Sequence, residues 1–151
     1  MNPHEIVSIV IASFALVISV ISFFTSMRNS SAMIELTINE RITNTKEKVG
    51  DVSNIMTPLL AKGEPTGDEK RMIDLYVKQF DLAIENNLNA YEEACAKFLD
   101  KKVDKKRFKK LYKTELRKLV EKDELKRYFD GVSSNYKAIL KVYKQWEDLE
   151  K

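Results

Sequence analysis

The sequence predicts an all-α protein: one N-terminal transmembrane helix followed by a cytosolic antiparallel helical bundle. Three observations predict it. Residues 6–27 form an uncharged apolar run, IVSIVIASFALVISVISFFTSM. The remainder is rich in Lys, Glu, Leu and Ala and the whole chain holds only four glycines and three prolines, a composition that favours helix. Apolar residues recur in that remainder at three- and four-residue spacing, and no window alternates with period two.

A bilayer core about 30 Å thick takes roughly 20 residues of helix at about 1.5 Å rise each. The run 6–27 has that length, and the first charge after it is Arg28. One alternative is a buried helix of a soluble domain, against which the length argues; the other, a cleaved signal peptide, needs a basic leader, a shorter apolar run and a small-residue cleavage site. Residues 1–5 contain no Lys or Arg, and Phe23-Phe24-Thr25-Ser26-Met27 makes a poor cleavage site. All 26 Lys and Arg residues follow the span. Basic flanks favour the cytoplasmic side, so residues 1–5 are expected outside and the rest in the cytosol. His4, the single histidine, then falls in the headgroup region and is read as inert rather than as a pH sensor. Within the span, Ser8, Ala12, Ala15, Ser19, Ser22 and Ser26 recur every three or four residues and share one face. Ile11, Phe14, Ile18 and Ile21 take other faces. Small residues let helices approach closely, so this face predicts a packing seam for a second transmembrane helix. The span has no ionisable residue for a proton relay or an ion site.

Glu5 precedes the span, which leaves 22 acidic against 26 basic residues and a net charge of +4 on residues 28–151. That balance is too modest to mark a nucleic-acid protein. The single cysteine, Cys95, excludes an intrachain disulfide. Residues 28–31 are a candidate hinge. Residues 28–60 then read as a juxtamembrane heptad helix, with Ile38, Ile42, Thr45, Val49, Val52, Met56 and Leu59 as its seam. Two readings stand: the seam zips parallel copies together, or it packs on its own downstream bundle. It is out of phase with the small-residue face, so a straight coiled coil through both needs a break or stutter near residues 28–37. Gly50 costs about 1 kcal/mol there, and Pro58 should end or bend the helix within a turn.

Residues 61–67, with Gly63, Pro65 and Gly67, form a loop. The bundle, residues 68–151, follows. A helix from Asp68 to Leu99 carries Met72, Tyr76, Phe80, Ala83, Ala90, Ala94 and Phe98 on its apolar side, with Asn87 at a seam position. Asn86, Asn87 and Asn89 mark a solvated face or a local weakness; lining a polar site or setting helix register are the alternatives. Cys95 reads as a small core residue. After the turn 100–104, Asp104 caps a helix to about Val120, with a stripe of Phe108, Leu111, Tyr112, Leu116, Leu119 and Val120. Asp123 caps a short helix that Gly131 terminates. Ser133 or Ser134 caps the last one, whose stripe is Tyr136, Ile139, Leu140, Tyr143, Trp146 and Leu149. Helices 68–99 and 105–120 make a hairpin that helix 134–149 closes, and Tyr91 with the other aromatics supplies packing area rather than a cofactor box.

Lys101, Lys102, Lys105, Lys106, Arg107, Lys109 and Lys110 put seven basic residues within ten positions. Three readings fit: a solvated face, contact with anionic lipid, or contact with nucleic acid. Lipid is the nearer partner if the 100–104 turn returns to the bilayer, and nucleic acid is the least expected. No catalysis, cofactor or metal is expected. The one histidine lies outside the cytosolic part, no Gly-rich phosphate loop occurs, and adjacent Glu92 and Glu93 cannot face one point on a helix.

The segment Asn89-Ala-Tyr91-Glu92-Glu93-Ala-Cys95, then Phe98-Leu99-Asp100, Val103-Asp104 and Arg107-Phe108, resembles uncharacterised small single-pass bacterial inner-membrane proteins. So does the tail Tyr136 to Tyr143 with Trp146. Such proteins pair an N-terminal span with a helical cytosolic domain and are associated with mobile elements and prophages. The resemblance implies a bacterial inner-membrane location and transfers no catalytic residue. The leading expectation is a non-enzymatic membrane anchor or scaffold that self-associates or docks a protein partner. An oligomeric membrane-disrupting effector of phage or mobile-element defence is the second. Anionic-lipid or nucleic-acid binding through 101–110 is the third.

Overall fold

A computed structural model describes residues 2–61, 65–130 and 134–147. Among these residues the chain is all-α, without a strand. α1 runs from Pro3 to Ala61 (59 residues), about 88 Å at 1.5 Å per residue. It is long and apolar enough near the N-terminus to cross a membrane, and none of its most apolar stretch is buried. Residues 28–31, whose polar run could either break the helix or let it continue, continue it: the helix passes through without a break. Neither Gly nor Pro stands there, and Ser and Asn weaken a helix too little to interrupt so long a hydrogen-bond ladder. Residues 28–60 are therefore continuous with the apolar part of α1. Pro58 lies inside the last turn, and α1 ends three residues later at Ala61.

α2 spans Gly67–Leu99, one residue earlier than the Asp68 start read from the sequence. Thr66 is its N-cap, and the Glu69 carboxylate accepts from both the Thr66 N–H and hydroxyl at 2.9 Å. α2 returns antiparallel along α1, since Arg41 pairs with Glu93 and Thr45 with Asn87. It ends in a Schellman motif: the Lys102 N–H reaches the Lys97 carbonyl at 2.9 Å and the Lys101 N–H the Phe98 carbonyl at 3.1 Å. Lys101 takes the left-handed position there at φ 59°.

α3 spans Lys105–Glu121, with Asp104 accepting from the Arg107 N–H at 2.8 Å as N-cap. A 3₁₀ turn, Asp123–Tyr128, sets Leu125 and Phe129 into the core. α4, Lys137–Glu147, begins later than a Ser134 cap requires. Ser134 instead closes the turn before it, donating to the Tyr128 carbonyl at 2.8 Å and accepting from the Tyr136 N–H at 3.0 Å. Gly63, Gly131, Ser133 and Leu149 lie outside the described residues.

The core joins Ile38 and Ile42 of α1 to Leu88, Tyr91, Ala94, Cys95 and Phe98 of α2, Phe108, Tyr112 and Leu116 of α3, and Ile139, Val142 and Trp146 of α4. Leu88, Leu116, Ile139 and Val142 are fully buried, each worth about 1.5–3 kcal/mol. An aromatic cluster ties the elements together. Phe98 stacks on Phe108 at 5.1 Å between centroids, and Trp146 meets Phe98 edge-on at 5.5 Å. Several stripe residues deviate from the sequence reading. Met72 and Leu111 are exposed, and Leu119, Val120, Leu140 and Tyr143 are half-buried. α3 turns a narrow face inward at four-residue spacing through Phe108, Tyr112 and Leu116, which leaves the flanking residues at its edge.

Candidate functional site

Three surfaces carry the residues singled out by sequence. The first is the apolar half of α1. Residues 11–30 are all exposed. Ser8, Ala12, Ala15, Ser19, Ser22 and Ser26 are exposed too, so no other part of the described chain covers the small-residue face. Their hydroxyls can turn back on the helix, as Ser8 does in donating to the His4 carbonyl at 2.9 Å.

The second surface is the seam of lower α1. Ile38 and Ile42 are buried in the core. Thr45, Val49, Val52, Met56 and Leu59 are half-buried. The buried end of this face packs in the same core as Leu88, Tyr91 and Ala94 of α2. Thr45, the polar member, donates to the Asn87 side chain at 3.1 Å. The two polar seam positions thus answer each other, and Asn87 also lines the cleft bordered by Lys46, Tyr91 and Glu115. Asn86 and Asn89 are exposed. Ser26 and Ile38 are twelve residues apart, which turns the inward face about 120° from the small-residue face. Below the core, α2 exposes Met72, Leu75 and Leu82 along one flank, and α1 exposes Ile55 and Leu60.

The third surface is the basic end. Lys101, Lys102, Lys105, Lys106, Arg107 and Lys110 are exposed and Lys109 is half-buried. Lys105 sits over the Phe98 ring, 5.6 Å from its centroid. The turn 100–104 lies against α1. Glu35 accepts from the Asp104 N–H at 2.8 Å and from the Arg107 guanidinium at 3.1 Å. The backbone and guanidinium of Arg107 are thereby both fixed, the first through the Asp104 cap and the second through Glu35.

Two internal carboxylates were not legible as functional in the sequence. Glu92 of α2 caps α4 across the interface, accepting from the Ala138 N–H at 2.8 Å and the Ile139 N–H at 2.9 Å. A carboxylate at a helix N-terminus meets both the unpaired donors and the positive end of the dipole. Glu115 gathers the Lys46 ammonium at 2.7 Å and the Tyr91 hydroxyl. Partial burial raises the Glu115 pKa, but the Lys46 and Tyr91 hydrogen bonds outweigh it and hold the carboxyl below its ordinary range. Burial first, then Glu115, pushes the Tyr91 phenol up. These groups edge a cleft of about 360 Å³ floored by Leu88.

Cys95 is fully buried, and burial followed by the nearby Glu92 charge pushes its thiol up, the opposite of an activated nucleophile. His4 and Ile38 stand about 50 Å apart along α1. No group of three or more metal-ligating side chains occurs among the described residues. No protein-family model, curated protein or solved structure matches this chain.

Proposed function

We propose that this chain is a single-pass membrane protein of the bacterial inner membrane, a non-enzymatic anchor whose cytosolic helical bundle docks a second copy or a protein partner. The N-terminus is outside and the bundle is in the cytosol. One observation carries the reading. α1 leaves its apolar half, exposed throughout residues 11–30, and enters the core without a break, with Ile38 and Ile42 buried there. A helix built this way couples the bundle's orientation rigidly to that of the span. Contact between spans would then bring bundles together in a fixed pose rather than on loose tethers. The uncovered face Ser8, Ala12, Ala15, Ser19, Ser22 and Ser26 supports contact in the bilayer. The exposed flank of Met72, Leu75 and Leu82 supports docking below it.

The test uses full-length protein in native membranes. Reporter fusions at the two termini should place the N-terminus outside and the C-terminus inside, and the protein should resist alkaline extraction. Ala15→Leu with Ser19→Leu should weaken association in a membrane-helix assay. Extraction into the soluble fraction would end the anchor reading. Unchanged association would remove the seam from it.

A further inference from the structure

The end of the apolar helix and the basic turn enclose a groove of about 700 Å³. Phe24, Met27 and Arg28 form one wall, and Val103, Asp104 and Arg107 the other. The groove changes character along its length. Phe24 and Met27 belong to the apolar run and are exposed, whereas Arg28 and Arg107, also exposed, bring two guanidinium groups to its other end. Arg28 makes no ion pair among the described residues. Arg107 is held by Glu35 but has five N–H donors, more than one carboxylate can occupy.

We propose that this groove seats one anionic phospholipid, with its phosphate between Arg28 and Arg107 and the start of an acyl chain along Met27 and Phe24. The proposal rests on residues 6–27 spanning a bilayer. Depth supports it. Glu35, which positions Arg107, lies eight residues past Met27, about 12 Å along the helix. A headgroup layer is about 5–8 Å thick, so a guanidinium reaching back from that level arrives at the phosphates. Charge supports it as well: Lys101, Lys102, Lys105 and Lys106 rim this end, against the carboxylates of Glu35, Asp100 and Asp104. An apolar wall continuous with the span matches a lipid better than a nucleic acid, which has no acyl chain to lay on Phe24. Of the seven basic residues read from the sequence, Arg107 alone lines the groove; Arg28 completes it, while Lys109 and Lys110 stand outside.

The experiment is native mass spectrometry of full-length protein in mild detergent, titrated with phosphatidylglycerol or with phosphatidylcholine of the same chains. A single phosphatidylglycerol should bind at concentrations where phosphatidylcholine does not. Arg28→Gln with Arg107→Gln should weaken it roughly 30-fold, and Lys109→Gln with Lys110→Gln should leave it nearly intact. Trp146 emission reports whether each variant keeps its core. Should Arg107→Gln disturb that core, Arg28→Gln alone, which lies outside it, carries the test with a smaller loss. Equal binding of the two lipids, or displacement by soluble glycerol phosphate, overturns the proposal. Flotation of the same protein with phosphatidylcholine vesicles separates the two readings. Failure to float removes the membrane anchor and the site together, whereas flotation without lipid preference removes the site alone.

Discussion

Glu92→Ala is the most informative single change to the packed helices. The first turn of α4 is held by a carboxylate from α2, at 2.8 Å from the Ala138 nitrogen and 2.9 Å from that of Ile139. Hydrogen bonds to a charged group contribute about 1.5–3 kcal/mol each. Glu92 is half-buried, so water can replace part of the loss, and the expected cost is about 2–4 kcal/mol. For a helical body of this size that lowers the melting midpoint by roughly 10 °C. The readout is built in. Trp146 is the only tryptophan, it lies in α4, and it is 2 % exposed against Phe98 and Phe108. Thermal unfolding of full-length protein in detergent, followed by Trp146 emission, should show an earlier red shift in the variant. Glu92→Gln, which keeps one acceptor oxygen, should fall between. An unchanged midpoint for Glu92→Ala would refute the argument that α4 is pinned through its N-terminus.

Two further predictions follow from the same accounting. Lys101 holds a left-handed backbone that glycine adopts without penalty, so Lys101→Gly should stabilise the fold by about 0.5–1 kcal/mol in denaturant titration; a loss of stability would mean the lysine side chain contributes more than its strain costs. Glu115 has a folded-state pKa below its ordinary value of 4.5. Its stabilising contribution is therefore present above that pH and is lost as pH falls through the folded pKa. Glu115→Gln should flatten the acid side of the stability profile. Its cost at pH 7 should stay within about 1 kcal/mol, because the side chain is 38 % exposed. Identical acid profiles would count against the Lys46–Glu115–Tyr91 network.

The sequence by itself determined what depends on local periodicity and composition. The uncharged run 6–27, the helical spacing beyond it, the Asp104 cap and the end of α2 at Leu99 all follow from residues within a turn or two of each other. So does the absence of a strand among the described residues, because no stretch alternates. The tertiary structure alone decided what the faces meet. Nothing within residues 28–31 tells whether a helix of nearly sixty residues will break, since continuity depends on the packing of Ile38 and Ile42 below as well as on propensity. The seam Ile38 to Leu59 reads the same whether it faces a copy or α2, and only the antiparallel return of α2 shows that Ile38 and Ile42 are buried within one chain. Glu92 lies 46 and 47 residues from the N–H groups it caps, and Glu35 lies 72 from Arg107. No local pattern marks such pairs, because their partners are chosen by the fold and not by the spacing. Arg28 was legible as the first charge after an apolar run; its nearness to Arg107 became visible only when the 100–104 turn came back to α1.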